Sequence, residues 1–164
     1  MEEIIVLGLS LNTRMLGLAV ISGNCLVDYL IRLRKEAWTP QKRESILASL
    51  QPCCVRYCIK RVALSMPYEK QTTKENKLLL QSVKRYFRKK KIILKAYHPK
   101  TIHMFCEKEG PRTKREAMRI LAQKYPELLV PYQKEITNKN KYYIKLFEAV
   151  AVATIHARKL RVAL

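Results

Sequence analysis

The sequence predicts a mixed α/β domain with a five-stranded sheet, three strands antiparallel and two alternating with helices, and helices on both faces. Three observations carry this reading. The first part of the chain holds three apolar or β-branched runs separated by turns too short for a crossover. The rest alternates capped helical patterns with short apolar runs. The length of 164 residues suits one domain of about 100–200 residues. No repeat or Pro/Gly-rich linker divides the chain, so residues 1–164 are read as a single unit.

Each element has a local reason. Ile4-Ile5-Val6-Leu7-Gly8-Leu9 is an apolar run suited to a buried strand. After a turn around Leu11-Asn12-Thr13, Leu16 to Ile21 forms a second, and Ser22-Gly23-Asn24 turns tightly into a third, Cys25 to Leu33. Thr39-Pro40 supplies an N-cap and a first-turn proline for a helix that Pro52 should end or kink. Arg61 to Met66 reads as the fourth strand. Thr72 with Glu75 makes a capping box for a helix burying Leu79, Val83 and Phe87. Lys91 to Ala96 is the fifth strand, and Thr113 with Glu116 caps the helix that follows it. A final helix, about Tyr143 to Lys159, is apolar on most faces and alanine-rich, which predicts close packing on the sheet.

Composition narrows the function. The chain carries 33 Lys plus Arg against 13 Asp plus Glu, a net charge of +20, yet 48% of its residues are hydrophobic. That content excludes a disordered basic tail. A folded domain so cationic points to a polyanion, nucleic acid first. Asp28 is the only aspartate, so little is available for binding hard divalent cations. No apolar run is long enough for a membrane span, and Met1-Glu2-Glu3 does not suit a secretory leader. Five cysteines without framework spacing suit a reducing compartment, so an intracellular protein, cytoplasmic or nucleoid-associated, is expected.

Five segments, in order, resemble the RuvC family of Holliday-junction resolvases, which have the ribonuclease H-like fold. Gly8-Leu9-Ser10-Leu11-Asn12-Thr13-Arg14 through Gly17 resembles that family's opening G-I-D-P-G-T and the glycine after it. Ala63-Leu64-Ser65 stands where the family has a strand ending in glutamate. His98-Pro99-Lys100 falls at its proline turn, and Gly110-Pro111-Arg112-Thr113-Lys114 at its glycine-and-lysine turn. Glu148-Ala149-Val150-Ala151-Val152-Ala153 with His156 resembles its final D-A-L-A-I-A helix and histidine.

The resemblance implies four acidic positions binding two divalent ions, usually magnesium, and a homodimer. Here those positions are Ser10, Ser65, Lys145 and Glu148, so one carboxylate remains. Serine is a poor ligand for a hard cation, and lysine adds like charge. The metal site therefore reads as lost. Ser10 and Ser65 fill the space or form a polar site for a phosphate; Glu148 pairs with Lys145 or holds a single metal, with Glu69, four residues beyond Ser65, the other weak metal candidate. No cofactor is expected, magnesium or manganese entering only if the chain cuts.

Phosphate contacts are expected from Lys84, Arg85, Arg88, Lys89, Lys90 and Lys91, with Tyr86 a candidate for base stacking. A second basic group, Lys108, Arg112, Lys114 and Arg115, stands at a helix start. Lys134, Lys139 and Lys141 are placed on a polar loop beside Tyr142 and Tyr143. Cys53, Cys54, Cys58, His98, His103 and Cys106 lack the paired spacing of a zinc site. The leading reading is a RuvC-like protein, catalytically inactive, that binds branched or duplex DNA, or structured RNA. The alternatives are a metal-dependent resolvase built on Glu69 and Glu148, and a protein-interaction subunit without enzymatic activity.

Overall fold

The computed structural model describes residues 2–102, 114–137 and 142–163. Strands β1 (Ile5–Leu11), β2 (Met15–Ser22) and β3 (Cys25–Leu33) form the predicted antiparallel meander. Gly23, with φ of 60°, turns the second hairpin. Helices α1 (Pro40–Ala48) and α2 (Gln51–Arg56) lead to β4 (Arg61–Ser65), and α3 (Lys74–Lys89) leads to β5 (Ile93–Tyr97). Residues 99–102 are helical. Then come α4 (Lys114–Lys124), α5 (Leu129–Thr137) and the long α6 (Ile144–Val162). The sheet order is β3-β2-β1-β4-β5, with β4 parallel to both of its neighbours.

The period-two alternation of the strands divides the core into two layers. Leu7, Leu9, Leu16, Leu18, Val20, Val62 and Leu64 face α1, α2 and α3, where they meet Ile46, Leu79, Val83 and Phe87. Each fully buried side chain of this size contributes about 1.5–3 kcal/mol. Val6, Ala19, Ile21 and Ala63 face α6, which presents Ala149, Ala153 and Ala157. The second layer is closer-packed because both surfaces are small. A Cβ on Gly8 would stand 2.0 Å from the Ala149 carbonyl oxygen, and one on Gly17 would stand 2.3 Å from the Lys145 carbonyl carbon. Glycine is required at both positions by this approach. Among the described residues, no helix is long and apolar enough to cross a membrane.

Several boundaries differ from expectation. The helix opened by Pro40 ends at Ala48, before Pro52 as expected, but Pro52 itself sits in the first turn of a new helix, α2, where its missing N–H is harmless. The cap of α3 is Thr73, whose hydroxyl accepts from Asn76 N–H at 3.2 Å. Thr72, the expected cap, instead donates to the Tyr68 carbonyl. Strand β4 stops at Ser65, before Met66, and β5 runs Ile93–Tyr97 rather than from Lys91. Lys134 lies on α5, not on a loop, because Pro131 falls within that helix's first turn. Thr113, the expected cap of α4, lies outside the described residues.

Candidate functional site

Ser10 ends the α6-facing row of β1, and Ser65 ends that of β4. The parallel register pairs Leu9 with Leu64, so the two serines follow side by side. The close approach permitted by Gly8 and Gly17 lays the first turns of α6 over them. Lys145 and Glu148, three residues apart, therefore point into the same place. One oxygen of Glu148, Oε2, receives all three neighbours: Ser10 Oγ donates at 2.8 Å, Ser65 Oγ at 3.4 Å, and Lys145 Nζ stands at 3.5 Å. The serines are buried, and the acid and the lysine are partly so. The four positions singled out in the sequence thus converge on one point.

This donor set is poor for a pair of hard divalent cations. Such ions favour several oxyanion ligands, and the single carboxylate already accepts two hydroxyls and an ammonium. Lys145 supplies the compensating charge that a cation would otherwise supply. Among the described residues, no group of three or more His, Cys, Asp or Glu is placed to hold a metal ion. Cys54 is buried, Cys53 half-buried and Cys58 exposed, while His103 and Cys106 lie outside the described residues.

The acid–lysine pair borders a cleft of about 240 Å³ between the end of β4, α4 and the start of α6. Met66, Pro67, Tyr68, Met118 and Phe147 make its apolar walls, and Lys114 joins Lys145 as a cation of its lining. Glu69, in a short 3-10 turn after β4, is exposed and does not line the cleft. The sequence reading missed these apolar residues; the only local signal was the Pro67-Tyr68 pair directly after a strand.

The predicted basic run divides by its position on α3. Arg85, Arg88, Lys89, Lys90 and Lys91 are exposed and Lys84 is half-buried, and among the described residues none meets a carboxylate within ion-pair distance. Lys91 adopts φ of 57°, a left-handed backbone that lysine disfavours. It closes a Schellman turn, in which Ile92 N–H bonds the Phe87 carbonyl at 2.9 Å and Lys91 N–H that of Arg88 at 3.0 Å. Glycine is the usual occupant, so a cation is held here against local preference. Tyr86 is not presented for stacking on a base. Its ring packs edge-on against Phe87, Lys90 lies over its face, and its hydroxyl is buried. Arg115 Nη2 donates to the Ile136 carbonyl on α5, and Arg112, Lys108, Lys139 and Lys141 lie outside the described residues.

Farther along α6, His156 is buried beside Tyr97, whose hydroxyl lies 2.6 Å from Nδ1. Burial raises the pKa of the Tyr97 hydroxyl, which shares this hydrogen bond with the ring nitrogen. Burial first, then Arg61, Lys159 and Lys95, lower the histidine's pKa.

No protein-family model matches the chain, and no curated protein matches it by sequence. Solved structures do match. RuvC of Thermus thermophilus in complex with a Holliday junction substrate aligns with a TM-score of 0.70 at 15% identity, over 98% of this chain and 96% of that one. A further T. thermophilus RuvC structure aligns with a TM-score of 0.70 at 16% identity, over 98% and 97%. The Fowlpox virus resolvase, in complex with Holliday junction DNA, aligns with a TM-score of 0.62 at 15% identity, over 96% and 99%. The chain therefore has the ribonuclease H-like fold of the RuvC-type Holliday-junction resolvases.

Proposed function

We propose that this protein binds branched or duplex DNA through the cationic end of α3 and the basic rim of the cleft, and does not cut it. The observation that carries the reading is the state of Glu148. Its oxygen is shared by Ser10, Ser65 and Lys145, at the four positions that resemble the carboxylates of a resolvase. The cations at the end of α3, which meet no carboxylate among the described residues, and the net charge of +20 support phosphate binding. The fold's match to resolvases solved with Holliday junction DNA supports a branched ligand, and a homodimer is what the sequence resemblance implies.

The test is anisotropy titration of a labelled four-way junction, a duplex, a single strand and a structured RNA across a salt series. If about six to eight phosphates are engaged, log affinity falls against log salt with a slope near −5 to −7. The junction is expected to bind most tightly and to remain whole after incubation with magnesium or manganese. A slope near zero on every ligand would sink the binding reading. Junction cleavage that disappears in Glu148→Gln would replace it with the metal-dependent resolvase.

A further inference from the structure

A second surface lies away from the cleft, at the end of the sheet. In β5, Ile93 N–H donates to the Lys60 carbonyl at 3.0 Å, and the Tyr97 carbonyl accepts from Met66 N–H at 2.9 Å. Alternate residues of a parallel strand bond to the same neighbour, so Ile93, Lys95 and Tyr97 turn their backbone groups toward β4. Leu94 and Ala96 turn theirs outward. β5 is the last strand of the sheet, and among the described residues no further strand pairs with that side.

The side chains around this edge are organised. Ile92, Leu94 and Ala96 floor a groove of about 350 Å³, walled by Lys84 and Arg88, one helical turn apart on α3. On the opposite face of the strand, Lys95 is exposed and Ile93 is 60% exposed. An added strand would therefore meet an aliphatic surface and a cation on each of its two faces. A second copy of this edge is a poor occupant, because it would set Lys95 near Lys95 and bring further cations together. DNA could use the cations, but it would leave the aliphatic floor and the outward N–H and C=O groups of Leu94 and Ala96 without partners.

We propose that the outer edge of β5 is a docking site for an extended acidic segment of a partner protein, which adds to the sheet as a sixth strand. Its backbone pairs with Leu94 and Ala96, its carboxylates meet Lys84, Arg88 and Lys95, and its aliphatic side chains cover Leu94 and Ile93.

The probe is a fluorescein-labelled peptide of seven residues, Glu-Glu-Val-Val-Glu-Glu-Val, which as a strand carries both glutamate and valine on each face, titrated into the intact protein. It is expected to bind saturably and to slow amide exchange at Leu94 and Ala96. A central proline in the peptide, or Ala96→Pro in the protein, should weaken binding about tenfold through lost backbone pairing. Ala96→Pro removes only an outward N–H, which an edge strand tolerates; a native melting temperature and an unchanged salt slope on junction DNA establish that it folds. Lys84→Gln with Arg88→Gln should also weaken the peptide. Equal binding of the proline peptide would overturn the proposal, leaving charge attraction alone. So would protection of the Leu94 and Ala96 amides by duplex DNA and not by the peptide.

Discussion

Glu148 offers one oxygen to three donors, and that arrangement sets what single substitutions can do. If Ser10, Ser65 and Lys145 occupy true carboxylate positions, Ser10→Asp, Ser65→Glu and Lys145→Asp together should rebuild a cation site. Such a variant would be destabilised in chelator by the crowding of like charge. At manganese near 100 times its dissociation constant, it should regain about 2.7 kcal/mol. That corresponds to a rise of roughly 5–10 °C in melting temperature for a domain of this size. Thermal melts with and without manganese check it, and the unaltered protein should shift little. His156 predicts a different dependence. Its pKa in the fold lies below the ordinary 6.5, so below that pH the unfolded chain binds a proton that the folded chain resists. Stability is then flat above about pH 7 and declines as pH falls through 6.5, levelling below the folded value. Urea midpoints at pH 7.5 and 5.5 should differ, and the difference should shrink in His156→Gln.

Among the elements, the strands were legible because apolar runs and short turns leave few alternatives: β1, β2 and β3 lie within a residue or two of expectation. The helix holding Lys134 reads as a loop in the sequence; Pro131, like Pro52, occupies a first turn, where the lost N–H has no intrahelical partner. The cap of α3 was misread by one residue because Thr72 and Thr73 are chemically equal, and only the chain path decides which faces Asn76. The convergence of Ser10, Ser65, Lys145 and Glu148 was legible only by resemblance; their 138-residue separation has no periodic signature. The Schellman turn after α3 was not legible at all, since a lysine run gives no hint of φ of 57° at Lys91. Lys91→Gly should relieve that strain and stabilise the fold by about 1 kcal/mol. It should also weaken DNA binding and reduce the salt slope by about 0.9. Melting curves and the salt series on the same variant separate the two effects.

For the molecule as a whole, α6 is the element that holds the layers together. It packs across β1, β2 and β4, and its seating depends on the bare backbone at Gly8 and Gly17. Gly17→Ala would force a methyl against the Lys145 backbone. A loss of about 3 kcal/mol is expected, lowering the melting temperature by roughly 6–12 °C. Because Lys145 and Glu148 ride on the same turns, the Glu148 contacts to both serines should loosen along with it. Calorimetry of Gly17→Ala and Gly8→Ala tests this, and an unchanged melting temperature in both would mean that the helix shifts freely.

The pairing of Glu148 with Lys145 also bears on how the protein comes into being. A cleft lined with four carboxylates repels itself until cations arrive, so its final shape waits on the ion supply of its surroundings. A cleft balanced by one acid and one base sets no such condition. The shape of this cleft, which the proposed function turns toward DNA, therefore should not depend on the divalent-ion level.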